Sequence, residues 1–131
     1  MKTIIGGEGR FYYKGDMTFN GDLIATVELI IDGDLKVSGD ITCQNIRAKK
    51  IEAQNVEARN IIANRISVGG TIYAEDVFCN ELDANTLSAG NIKAKQVAVN
   101  NLYCVNLTSD SLSVKGGEFD VVGSLISRSV R

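Results

Sequence analysis

The sequence predicts an all-β fold: a single-domain parallel β-helix, a solenoid with three sides of about five to six residues each. Three observations carry that prediction. Between Ile46 and Leu112 a branched apolar residue recurs fourteen times, almost always five positions after the last, and a small residue follows at the second place on. Upstream the same frame continues with a six-residue period, GDMTFN, GDLIAT, VELIID, GDLKVS, GDITCQ. Proline and Trp are absent, and Phe and Tyr number only four each. That composition suits a narrow interior of Ile, Leu, Val and Ala and a backbone whose donors are used in ladders.

Within a unit, the large residue and the small residue two places on share the period of an extended strand. Ile51 and Ala53 point in, and Glu52 between them points out. A five-residue period drifts off any helical face. The remaining residues of each unit form a bend.

Residues 1–14 are the entry to the first coil: Thr3 to Glu8 extends the frame loosely, and Gly9 to Lys14 sets Phe11 and Tyr13 inward. The repeat core, 15–115, opens with hexads over 15–44. Four of them begin Gly15-Asp16, Gly21-Asp22, Gly33-Asp34 and Gly39-Asp40. The expected roles there are left-handed backbone angles, or side-chain bonds to the residue's own backbone. Mostly pentads fill 45–115, from NIRAK, KIEAQ, NVEAR and NIIAN to NLYCV, NLTSD and SLSVK; RISVGG alone carries an extra residue, a glycine. Asn45, Asn55, Asn60, Asn91, Asn101 and Asn106 precede the large residue, where Asn suits a bend and can stack in ladders. Residues 116–131 leave the frame but stay apolar, with Phe119, Val121, Val122, Leu125, Ile126 and Val130. They form either a strand or a cap.

Such short strands bury nothing alone, but wound into coils each pairs in parallel with the strand one coil away, about 4.8 Å along the axis. The general handedness of parallel connections favours right-handed winding; a left-handed form exists for hexad repeats. Ordinary pentapeptide repeats form square coils and place the small residue two before the large one. Here it comes two after, which favours three sides. At about 16 residues per coil the chain makes roughly seven or eight coils, about 35 Å long.

A formal net charge of −2 argues against nucleic acid as a partner. Charge is uneven: Arg47, Lys49, Lys50, Arg59 and Arg65 face only Glu52 and Glu57 over residues 41–65. That basic belt suits a mixed solvated face, an anionic surface, or the acidic end of another copy. Residues 1–7 hold too short an apolar stretch for a signal peptide, and no apolar run spans eighteen residues, so the expected location is cytoplasmic.

No residue pattern points to catalysis, a metal or a cofactor, and the chain is not expected to be an enzyme. It has no His, the commonest general base and metal ligand. That counts against the acyltransferases that share this fold and use a histidine base. Cys43, Cys79 and Cys104 each take the small inward place of a unit, as buried apolar substitutes for Ala. The Gly-Asp repeats lack the spacing of calcium-binding nonapeptides. Gly6-Gly7-Glu8-Gly9 lacks the Lys and helix of a phosphate loop. A lyase-type site would need clustered carboxylates, for which Asp76, Glu81 and Asp83 are the nearest outward set.

Solenoids need caps, because an end coil exposes strand edges and an open interior. Neither end of this sequence carries an amphipathic helix to serve as one. The self-association candidates are therefore Ile4, Ile5, Phe11 and Tyr13 at one end and Phe119, Val121, Leu125 and Ile126 at the other. Tyr73, Phe78 and Tyr103 take outward places and are the lateral-contact candidates.

GDLKVSGDITCQNIRAKKI and GNIKAKQVAV resemble the core repeats of bactofilins, polymer-forming bacterial cytoskeletal proteins, and TIIGGEGRFYYKGDMTFNGDL resembles their entry into the core. The resemblance spans nearly the whole chain, on motifs of low information. It implies a right-handed three-sided β-helix and nucleotide-independent filaments joined end to end. It also implies a role in cell shape or in positioning other cytoskeletal or cell-envelope proteins. The pentads with inward Ala are tighter than the family's usual unit. Its Pro-rich tails and membrane-targeting peptide have no match here, which leaves membrane association open. The alternative expectation is a binding module of a β-helical adhesin or phage fibre.

Overall fold

A computed structural model describes residues 2–131. Met1, the first residue of the entry segment, lies outside the described residues. The first coils contain β1 (Lys2–Ile5), β2 (Arg10–Lys14), β3 (Met17–Phe19), β4 (Asp22–Ala25), β5 (Glu28–Asp32), β6 (Asp34–Val37) and β7 (Asp40–Thr42). The later coils contain β8 (Asn45–Ala53), β9 (Asn55–Glu57), β10 (Asn60–Val68), β11 (Thr71–Phe78), β12 (Glu81–Lys93), β13 (Gln96–Val114) and β14 (Phe119–Val130). Every strand pairing is parallel, and no helix occurs among the described residues. The chain is a parallel β-solenoid, as its repeat predicts.

Strand register assigns three faces. The large residues of the first face are Thr3, Leu23, Ile41, Val56, Ile72, Leu87, Leu102 and Phe119, stacked one per coil. On the second they are Phe11, Leu29, Ile46, Ile61, Val77, Ile92, Leu107 and Leu125. On the third, Met17, Leu35, Ile51, Ile66 and Leu82 lead to Val97, and Leu112 pairs with Val130. Backbone bonds from Ser111 to Lys95 and from Lys115 to Val99 join Val97 to Leu112. The stack is eight coils, and away from its ends these columns are buried.

Coil length changes along the stack. Phe11 pairs with Leu29 and Leu23 with Ile41, a spacing of 18, which is three hexads. Ile46 pairs with Ile61 and Leu87 with Leu102, a spacing of 15, three pentads. Three units per coil confirm three sides. The second inward residue is Tyr13, Phe19, Ile31 or Val37 on several hexad sides, with Ala25 and Cys43 on others, and Ala48, Ala53, Ala58 or Ala63 on many pentad sides, with Val99 on one. A shorter side favours a small group there, although Val99 is buried in a pentad side. The extra glycine of RISVGG lengthens the spacing to 16, from Val56 to Ile72.

The C-terminal segment does not fold over the last coil. β14 is itself the eighth coil, paired with β13 from Leu102–Phe119 to Leu112–Val130. Its spacing is 17 at Leu102–Phe119 and 18 at Leu107–Leu125, with an irregularity between the partners of Cys104 and Asn106. Val122 and Gly123 sit in that irregularity, which hid the continuing frame from the sequence pattern.

The corners differ from expectation. Gly15 and Gly21 do take positive φ, 119° and 97°, but Gly33 and Gly39 do not, nor does any non-glycine among the described residues. Gly33 is needed for room: a Cβ there would lie 2.3 Å from the Gly15 carbonyl oxygen. The Asp side chains bond the next coil rather than their own backbone. Asp34 N–H donates to Asp16 Oδ1 and Asp40 N–H to Asp22 Oδ1, both at 2.8 Å. The Asn residues form ladders, with Asn106 donating to Asn91 at 2.8 Å and Asn91 to Asp76 at 2.9 Å.

Candidate assembly surfaces at the terminal coils

Both ends of the stack leave inward-facing side chains uncovered among the described residues. In the first coil Ile5, Phe11, Met17 and Phe19 are half-buried against the core, and Tyr13, in register with buried Ile31, is exposed. In the eighth coil Phe119, Leu125 and Val130 are 45%, 39% and 51% exposed, whereas their partners one coil deeper, Leu102, Leu107 and Leu112, are buried. These residues occupy core positions with no next coil to cover them. Val121 is half-buried on the same rung. Among the described residues the outer strand edges of both end coils also present backbone N–H and C=O groups with no partner strand.

The structure divides the self-association candidates. Ile5, Phe11, Tyr13, Phe119, Val121 and Leu125 face the ends. Ile4 and Ile126 hold the alternate positions of their strands and project from the sides, 66% and 62% exposed. Met17 and Phe19 join the first end surface. The hexad GDMTFN marks both as inward, but their place on the outermost coil emerges only once three units are known to close one coil.

The lateral candidates do not form one patch. Tyr73 and Tyr103 lie on the first face, two coils apart with Ser88 between them, and Phe78 lies on the second. Tyr103 Oη donates to a carboxylate oxygen of Glu118, and this bond, followed by partial desolvation and the nearby Glu118 and Asp120 charges, raises the Tyr103 pKa. The second face instead shows an outward column of Tyr12, Ile30, Arg47, Ile62, Phe78 and Lys93, with Lys93 Nζ 5.9 Å from the Phe78 ring centre. Tyr12 and Ile62 escaped sequence reasoning because outward residues align only once each coil's length is known.

Adjacent coils neutralise much of the basic belt. Lys49 pairs with Asp32 at 3.7 Å, Arg59 with Glu75 at 3.3 Å and Arg65 with Glu81 at 3.7 Å. Glu81 is thus an ion-pair partner and Asp76 a ladder acceptor, while Asp83 faces outward on the third side. Among the described residues no three Cys, Asp or Glu side chains gather as a metal site. Cys43 and Cys104 line the first face and Cys79 the second; all three are free thiols.

Comparison with protein-family models, with curated proteins and with solved structures returns no match.

Proposed function

We propose that the chain is a non-enzymatic scaffold that assembles end to end through its terminal coils, in a bactofilin-like cytoskeletal role. The observation that carries this reading is the pair of uncovered end rungs, apolar inside and edged by unpaired strands. Burying about 400 Å² of apolar surface at such a junction is worth roughly 10 kcal/mol gross. Association costs of about 4–15 kcal/mol offset much of it. Assembly should therefore depend on protein concentration and need no nucleotide. The outward column through Ile62 and Phe78 supports a second contact, lateral pairing of filaments or docking of a cytoskeletal or envelope partner.

The test is Phe119→Asp. Phe119 sits on the outermost rung, so the substitution should leave the far-UV spectrum unchanged and abolish assembly in sedimentation. A variant that unfolds as a monomer would mean that Phe119 serves the fold rather than a junction.

A further inference from the structure

Of all the Asn residues in this chain, only Asn20 is followed by glycine. Asn45, Asn60, Asn91 and Asn106 lie within strands and precede Ile or Leu, whose side chains crowd the following amide nitrogen. Asn20 is exposed and lies between strands, at the corner joining β3 to β4. Gly21 takes a φ of 97° there, a left-handed angle that a side chain would resist.

One hydroxyl touches both reactive groups of this dipeptide. Gly21 N–H donates to Ser38 Oγ at 2.7 Å, and the Ser38 hydroxyl donates to Asn20 Oδ1 at 3.2 Å. The backbone on both sides is fixed by the neighbouring coil. Ser38 N–H donates to the Phe19 carbonyl at 3.1 Å, and Gly39 N–H donates to the Gly21 carbonyl at 2.9 Å. Ser38 therefore bridges the amide nitrogen of Gly21 and the side-chain carbonyl of Asn20 in a held geometry.

We infer that Asn20-Gly21 is a self-modifying site, converted without an enzyme to aspartate and isoaspartate, with the Ser38 hydroxyl as proton relay. The Gly21 nitrogen attacks the Asn20 side-chain carbonyl carbon. Its proton passes to Ser38 Oγ while the Ser38 proton passes to Oδ1, so the tetrahedral intermediate forms without separated charge. The Oδ1 proton then moves to Nδ2 as the Cγ–Nδ2 bond breaks, ammonia leaves and a succinimide remains. Water opens the ring at either carbonyl, giving aspartate or isoaspartate at position 20. In the iso form the main chain runs through the side-chain methylene and is one atom longer. The altered corner adjoins Phe19, which packs on the core from the first coil. The conversion stands on this chemistry alone and does not require end-to-end assembly.

The experiment stores the purified chain for weeks at mildly alkaline pH, folded and, in parallel, unfolded in guanidinium chloride. After the denaturant is removed, isoelectric focusing reads the gain of an acidic form. Peptide mass mapping gives its position, and labelling by isoaspartyl methyltransferase reports the iso product. The expected result is conversion at Asn20 and at no other Asn, at least as fast in the folded chain as in the unfolded one, where Ser38 is no longer beside it. Ser38→Ala, with its far-UV spectrum unchanged, should slow conversion of the folded chain about ten-fold, and Asn20→Gln should stop it. A folded chain that stays unconverted, or that converts more slowly than the unfolded chain, overturns the inference. A folded Ser38→Ala variant that keeps the full rate overturns it as well. If Ser38→Ala misfolds, the comparison of folded with unfolded chain decides alone.

Discussion

Cys43, Cys79 and Cys104 each replace Ala at the inward small position, and burial sets their chemistry. It pushes the Cys43 and Cys79 thiols up to about 12 from 9.0, and burial followed by the Asp120 charge raises Cys104. The folded state holds the neutral thiol. Its stabilisation is whole below pH 9 and is lost between pH 9 and 12, as the unfolded chain ionises first. Each such thiol then costs up to ~1.4 kcal/mol per pH unit. Replacing Cys43 and Cys79 by Ala should flatten the fall in the urea midpoint between pH 8 and 10.5, relative to the unmodified chain. An equal fall in both would show the thiols to be solvated. Gly33 offers a second test. Gly33→Ala drives a Cβ into the Gly15 carbonyl and should cost about 1–3 kcal/mol in urea unfolding. The Gly-Asp dipeptides were legible in the sequence as corners, but not as contacts between coils. Asp16 and Asp34 are 18 residues apart, and only the coil length brings them together.

The strands record a trade between side-chain volume and side length. Wide coils can carry Val37 or Ile31 at the second inward place, although Ala25 also sits in one, and narrow coils mostly carry Ala, as at Ala53 and Ala63, with Val99 an exception. Enlarging a narrow coil and emptying a wide one should both destabilise, for opposite reasons. Ala53→Ile overpacks a 15-residue coil and should cost about 1–3 kcal/mol. Val37→Ala leaves a void in an 18-residue coil and should cost roughly 2 kcal/mol. Thermal unfolding checks both, and a neutral Ala53→Ile would mean that coil length does not constrain volume. The inward residues from Ile46 to Leu112 were readable from period alone, since alternation within a unit decides in from out. The outward columns were not. Whether Ile62 sits beside Phe78 depends on three units closing each coil, a number that the five-residue period alone does not give. β14 was obscured because its irregularity after Val121 breaks the frame that the third face later restores at Val130.

The described residues form a column of eight coils whose inward side chains are covered except in the two end coils. Salt bridges between neighbouring coils, Lys49 to Asp32 and Arg65 to Glu81, spread the central positive charge over the sides. Their exposed positions make them weak contributors, so salt should alter assembly only modestly if apolar end rungs drive it. Raising NaCl from 0.05 to about 0.5 M should leave the assembled fraction within roughly two-fold; a steep loss would point instead to contacts between charged sides. The most direct measurement is negative-stain electron microscopy of the purified chain over a hundred-fold concentration range, paired with sedimentation velocity. End-to-end stacking predicts unbranched filaments one solenoid wide that lengthen with concentration and disappear in Phe119→Asp. A strict monomer at every concentration and salt would contradict it.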